Sequence, residues 1–351
     1  MKVLRCFVFL IPTVFLAVAC SAEPEVVFEP EVVPLPADPN DYAPLPSYEA
    51  MAIPEDNPMT PEKVALGKQL FFDKRMSGDG QLSCYSCHVC ESGLTDGRPT
   101  AIGAFEKQLT RSSPTLWNIG YHSEFYWDGR AKTLEAQALA AWKGGNMGAN
   151  PDEVVTQLNT ISGYRSQFQG VFNEEATPDN VSKGLAAYMR TIVSHETPWD
   201  RWQAGDEDAV SEAARRGYDV FTKAECNNCH DGVLLTDLQY HNVGVGMETE
   251  EPDVGRFKVT QEESDTGAFK TPTLRDISQS APYFHNGSVA TLEEAVDFML
   301  GGGQENPYLD RENLKKVSLT AAEKEDLLEF LRSLDQPCNL SEPALPPGPG
   351  E

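Results

Sequence analysis

Strict alternation of apolar and polar residues, the mark of a half-buried strand, is scarce along this chain. Apolar residues recur instead at helical spacing: Leu292, Ala295, Val296 and Met299 fall on one face of "LEEAVDFML". Thr291 and Glu294 form a capping box that opens this helix. Thr60-Pro61 and Ser211 open two more, ahead of "GKQLF" (Gly67 to Phe71) and "GYDVF" (Gly217 to Phe221). One apolar run differs in kind. Phe7 to Ala19, preceded by Lys2 and Arg5, is too short to span a bilayer comfortably and reads as an export signal over residues 1–19. "LAVAC" then places Cys20 where a lipoprotein signal is cut and lipidated, so the mature chain is expected outside the cytoplasm, periplasmic or anchored to the outer membrane through Cys20. Residues 20–59 are acidic and proline-rich, the composition of an extended tether.

The chain repeats itself. "SPTLWNIGYHSEFYWDGRAKTLEAQA" begins at Ser113, and "TPTLRDISQSAPYFHNGSVATLEEAV" begins 158 residues later at Thr271, without a gap. Trp127 in the first copy becomes His285 in the second. Each unit runs helix, cysteine pair, "LTD" (from Leu94 and from Leu235), "PTL", then the Trp/His segment. This order predicts a mostly α-helical protein of two domains related by duplication and packed face to face, residues 60–205 and 206–338, with long loops and a flexible tail over 339–351.

Composition narrows the function. A formal charge of −26 argues against nucleic acid, whose phosphates would repel it. Of eight cysteines, four lie in "CYSCH" (Cys84, Cys87, His88) and "CNNCH" (Cys226, Cys229, His230). C-x-x-C-H is the attachment signature of c-type haem: the thiols form thioethers and the histidine ligates iron. A zinc site built from the two cysteine pairs would leave the histidine after each pair unexplained. Two covalent haems are therefore expected. Cys90 and Cys338 could pair in an oxidising compartment; the alternative is a free thiol at Cys90 near a haem.

With "FFDKRMSGDGQLSCYSCH", "SPTLWN", "YWDGR", "KTPTLRDI", "APYFHNGSVATLEEAV" and Met299, the chain from Thr60 to Cys338 resembles the bacterial di-haem cytochrome c peroxidase family, including its MauG and MbnH branches. The resemblance implies two cytochrome-c-like domains, an N-terminal haem that binds hydrogen peroxide and a C-terminal haem that receives electrons. It places Trp127 between the haems as an oxidisable bridge, with His285 free to bond a haem propionate or a bridging water. It makes His88 the ligand of the first iron, and His230 and Met299 those of the second, with Met247 in "GVGMETE" as a rival to Met299. It also implies a calcium ion between the domains, at the positions held here by Ser112, Ser280 and Pro282.

Two departures from the family pattern bear on function. Motif spacing puts the usual distal histidine of the first haem at Ala104. The usual distal glutamate falls at Asn146, whose amide positions peroxide but does not titrate; Gln137 matches a distal glutamine, and Asp152 or Glu153 are candidate proton shuttles. His122, His195 and His241 read as structural. An open first iron without the glutamate favours an enzyme that oxidises tryptophans of an exported partner protein, with Trp142, Trp199 and Trp202 as candidate relays. The alternatives are peroxide detoxification with electrons from a small cytochrome or cupredoxin, and a non-enzymatic electron carrier.

Overall fold

A computed structural model describes residues 51–349 and, as backbone alone, two short paired strands, β1 (Leu4–Val8) and β2 (Val18–Ala22). The remaining stretches of the export signal and the acidic tether lie outside the described residues. The rest is helical: α1 (Pro61–Phe72), α2 (Leu134–Lys143), α3 (Pro151–Leu158), α4 (Ser162–Phe172), α5 (Pro178–Met189), α6 (Pro198–Gln203), α7 (Glu212–Lys223), α8 (Phe257–Thr260), α9 (Leu292–Leu300) and α10 (Ala321–Arg332). Two two-residue ribbons complete it: β3 (Ile102–Gly103) with β4 (Lys107–Gln108), and β5 (Tyr240–His241) with β6 (Phe269–Lys270). Among the described residues no helix is long and apolar enough to cross a membrane.

The predicted caps are in place. Thr60 and Ser211 accept hydrogen bonds from the backbone amides of Lys63 and Ala214, and Thr291 and Glu294 cap α9 reciprocally. The repeated glycines have a packing reason. α1 crosses α5 so closely that a Cβ on Gly67 would stand 1.9 Å from the carbonyl oxygen of Gly184. α7 crosses α10 in the same way, and a Cβ on Gly217 would stand 1.9 Å from the carbonyl oxygen of Asp326. Each helix pair seals one hydrophobic core. The first gathers Phe71, Leu70, Trp117, Tyr164 and Phe168; the second gathers Phe221, Tyr283, Leu292, Phe330 and Trp199.

The duplicated segments share their backbone. Asn118 and Asp276 are both left-handed (φ 59° and 57°), as are Tyr126 and Phe284 (both 67°). Antiparallel bridges join Phe125 to Ala131 and Tyr283 to Val289. Across the interface the copies exchange hydrogen bonds: the amide of Ser112 donates to the carbonyl of His285, and that of Lys270 to the carbonyl of Trp127, each at 2.8 Å.

Cys90 and Cys338 form a disulfide, which ties the chain's end to the loop after His88. Residues 339–349 are held against the chain, where a flexible tail was expected over 339–351: Gln69 of α1 donates to the carbonyl of Ala344, and Arg75 in the turn after α1 to that of Pro346, both at 3.0 Å.

Candidate functional site

Each cysteine pair spans a single 3₁₀ turn, Cys84–Ser86 capped by Cys87 and Cys226–Asn228 capped by Cys229; the second follows α7 directly, the first follows α1 after a further turn at Lys74–Met76. The four thiols are half-buried and unpaired, and burial pushes Cys84 up to about 12 and Cys87 up to about 11. Each adjacent histidine is oriented by a backbone carbonyl: Nδ1 of His88 lies 3.0 Å from Leu94 O, and Nδ1 of His230 lies 3.1 Å from Leu235 O. Leu94 and Leu235 begin the two "LTD" triplets, and their left-handed backbone (φ 59° and 54°) is part of the turn that brings each carbonyl to its ring. A carbonyl at Nδ1 fixes the proton there and leaves Nε2 with its lone pair, the tautomer a metal ligand needs. Burial lowers the pKa of both rings, which keeps them neutral. The donor set fits haem c at both turns.

Around the first turn lies a cavity of about 650 Å³, lined by Cys84, Cys87 and His88 together with Trp127, Gln137 and Asn146. The segment carrying Trp127, the N-terminal haem motif and α2 therefore converge on one space. Ala104 does not. It is buried outside the lining, its amide donates to the carbonyl of Asn146 at 3.0 Å, and its methyl faces Gly148. Ala104 sits at the tip of the β3–β4 hairpin, and the β4 residues Lys107 and Gln108 are the ones that line the cavity. Counting along the chain could not see this, because the left-handed tip residues Phe105 and Glu106 set which way the hairpin turns. Asp152 and Glu153 are exposed in the first turn of α3 and do not line the cavity. Trp142 is fully buried, with Nε1 donating to Met76 O at 2.8 Å, so it is a packing residue rather than a surface relay.

Trp127 marks the seam between the two halves. Its Nε1 donates to the carbonyl of Ser112 at 3.0 Å. Its counterpart His285 is buried and stacks on Phe269 with ring centroids 3.6 Å apart. Burial drives His285 down to about 4, so the ring is neutral at neutral pH. Arg111 links the halves: Nε and one terminal nitrogen donate to Asp253, and the other terminal nitrogen to Asp128 at 2.7 Å. Beside Trp127 is a pair that sequence reasoning missed. Lys270 Nζ lies 3.2 Å from Nδ1 of His122 and donates to Glu124 O at 2.6 Å; burial drops its pKa to about 8. Nothing in either residue's local sequence signals a buried cation.

The hydroxyls of Ser112 and Ser280 are engaged by backbone carbonyls, of Phe284 and His285 in one case and of Ile277 in the other; Pro282 follows Ala281 in a cis peptide. Near the second turn His241 bridges Asp237 (2.9 Å) and Asp310 (2.6 Å), and with Cys229 these side chains form a compact cluster. The hydrogen bond to Asp237 first, then Cys229 and Asp310, hold His241 up at about 11. A thioether sulfur accepts only weakly, so with haem attached the two carboxylates alone would keep the imidazolium. Met299 is half-buried in the last turn of α9; Phe298 beside it packs edge-on against Phe284 at 5.0 Å.

Comparison with known proteins gives one answer. Residues 61–208 match the family described as di-haem cytochrome c peroxidase. The methylamine utilization protein MauG of Methylorubrum extorquens is 39% identical over 305 residues, covering 85% of each chain. A cytochrome-c peroxidase of Denitromonas iodatirespirans is 37% identical over 341 residues, covering 87% of this chain and 90% of its own. The crystal structure of a MauG-like protein associated with microbial copper homeostasis superposes with a TM-score of 0.75 at 35% identity, over 83% of this chain and 95% of that one.

Proposed function

Because the chain belongs to the di-haem cytochrome c peroxidase family, and is thus a haem-dependent oxidoreductase, we propose that it takes hydrogen peroxide at the first haem and draws electrons through the second from an exported partner protein. When bound, the haems would supply peroxide reduction and storage of the oxidising equivalents. We assign Cys84, Cys87 and His88 to the first haem and Cys226, Cys229 and His230 to the second, in domains of residues 60–205 and 206–338 joined by α6.

The observation that carries the reading is the lining of the 650 Å³ cavity: His88 is its one histidine, and the loop position where relatives would place a second one is turned away and buried. The cavity's methionines, Met76, Met147 and Met189, belong to the surrounding hydrophobic core. Gln137 and Asn146 are left as neutral hydrogen-bonding groups for peroxide, with no carboxylic acid in the place of Asn146. Met299 as the second iron's sulfur ligand draws support from packing. Leu292, Ala295 and Val296 join the second core, whereas Met299 on the same helical face stays out of it. Trp127 serves as the bridge between the sites, and His285 as a neutral partner for a propionate or water. Its ring makes no hydrogen bond to another described residue. A calcium ion at Ser112, Ser280 and Pro282 would rest on backbone carbonyls and water, the serine hydroxyls donating to carbonyls of the chain.

A route to a partner protein is present. Half-buried Trp202 lies 4.7 Å from Trp199, which packs on Phe330 at 4.8 Å and through it on Phe221 at 5.1 Å, in the core that Cys226 joins. Trp199 itself is buried, so Trp202 is the exit. Such a path would serve a protein substrate and a small cytochrome or cupredoxin donor alike, so the preference for partner oxidation rests on the cavity lining. Export and anchoring through Cys20 remain part of the proposal on the strength of "LAVAC".

The test uses the haem-loaded protein as isolated, mixed with peroxide without prior reduction. One high-spin and one low-spin haem, reacting at once and then holding the oxidised state for long periods in the presence of a reduced small cytochrome, is the expected result. Rapid cytochrome turnover would mean detoxification, and two low-spin haems indifferent to peroxide would overturn the reading.

A further inference from the structure

We propose that Lys107 is the cationic group facing the oxidant at the first haem, where it binds peroxide and small anions in place of the acid missing at Asn146. The inference rests on the peroxide-binding function proposed above.

The geometry of the β3–β4 hairpin carries it. Gly103 pairs with Lys107 across the hairpin, so the two share a face. That face is pressed onto the loop after α2: a Cβ on Gly103 would stand 2.0 Å from the carbonyl oxygen of Gly145 and 3.0 Å from that of Asn146. The side chain of Lys107 continues along the same loop. Its Cδ and Nζ each lie 3.0 Å from the Cβ position of Gly145. The ammonium therefore stands against Gly145, the chain neighbour of Asn146 in the cavity wall. A side chain at 145 would crowd the end of Lys107, and any side chain at 103 would lift the hairpin off.

The hairpin is held in this register from both ends. Phe105 and Glu106 form the tip with φ of 57° each, the amide of Phe105 donates to Asp79 at 2.7 Å, and the amide of Ala104 to Asn146 O at 3.0 Å. Two non-glycine residues in the left-handed region are costly, and a costly tip persists only where the surroundings fix it. What it fixes is the direction of Lys107.

Charge singles the residue out further. Four cationic side chains line the cavity: Lys107, Arg111, Arg130 and Lys258. Arg111 pairs with Asp128 and Asp253, Arg130 with Asp128, and Lys258 with Asp253. Among the described residues no carboxylate pairs with Lys107. Lys107 is exposed at the cavity's edge, so an ammonium held by no carboxylate is free to donate to an anion or a peroxide oxygen entering there.

The experiment measures azide and fluoride affinity of the haem-loaded protein from its absorption spectrum, for the native chain, Lys107→Met and Lys107→Arg, with haem content per chain as the folding control. Lys107→Met should weaken both anions about 10- to 100-fold, the range of a hydrogen bond from a charged donor, and Lys107→Arg should recover part of it. The rate of the first haem with peroxide should fall in parallel. Unchanged anion affinity in Lys107→Met at full haem content would overturn the proposal, and so would equal loss in Lys107→Arg. If Lys107→Met loses haem, Lys107→Gln is read in its place. A native protein that binds azide through Lys107 yet ignores peroxide would sink the proposed function and leave this assignment standing.

Discussion

The backbone amide of Lys270 donates to the carbonyl of Trp127 at 2.8 Å, and the equivalent bond on the other side of the seam runs from Ser112 to His285 at the same length. The two halves are thus stitched by one motif used twice in opposite directions. The side chains at its centre differ, an indole on one side and an imidazole on the other. Backbone bonds hold the frame, so the side chains at 127 and 285 are free to specialise.

Trp127→Phe should separate transfer from folding. The indole Nε1 to Ser112 O bond is lost, which costs about 1 kcal/mol in a denaturant titration. Electron transfer from the second haem to the peroxide-treated first haem should slow at least about tenfold, equivalent to ~1.4 kcal/mol on the barrier. Stopped-flow absorption at the second haem reads it; an unchanged rate removes Trp127 from the path.

Arg111 ties Asp128 of one half to Asp253 of the other, and its side chain is largely buried. Burial works against its charge, but the bond to Asp253 prevails and holds the guanidinium pKa up. Arg111→Ala should cost roughly 2–3 kcal/mol, since Arg130 and Lys258 remain as partial partners for the two carboxylates. Arg111→Lys should recover less than half, because an ammonium cannot reproduce the forked contact. Denaturant midpoints decide it, and full recovery in the lysine variant would refute the account.

Asp276 is the second-copy counterpart of Asn118, with the same left-handed backbone. Burial raises its carboxyl to about 7 despite hydrogen bonds from the amide of Gln336 and the hydroxyl of Ser194, both at 2.8 Å; Asp335 adds repulsion. Its folded pKa lies above the unfolded value of about 3.9, so ionisation is harder in the folded state. The native chain is then penalised progressively as pH climbs from about 4 to about 7, and the penalty stays constant above that. Asp276→Asn, the residue of the first copy, cannot ionise. It should match the native chain near pH 4 and exceed it by roughly 2 kcal/mol at pH 8. Urea midpoints at the two pH values check this, and parallel pH profiles would count against it.

The Cys90–Cys338 disulfide closes a loop of 248 residues and holds the final segment on α1. Replacing both cysteines by serine should lower stability by about 2–5 kcal/mol. Limited proteolysis should then cut beyond residue 338, where the native chain resists. Equal resistance in both would show that Gln69 and Arg75 hold the segment unaided.

The sequence alone determined whatever is local or repeated. Two C-x-x-C-H turns, the caps at Thr60, Ser211 and Thr291, the helical class and the in-register duplication are set by residues a few positions apart, and short-range chemistry reads directly off the chain. The recurrence of Gly67 and Gly217 was visible too, but its reason was not: only the crossing of α1 with α5 and of α7 with α10 shows carbonyls where a Cβ would stand. Tertiary structure alone decided what faces the cavity. Spacing put the usual distal-histidine position at Ala104, yet the hairpin's register turns that residue away from the cavity and brings Lys107 and Gln108 to its lining. The buried Lys270–His122 pair and the docking of the last residues on α1 were equally invisible, because each joins positions more than a hundred residues apart through packing that no local pattern encodes.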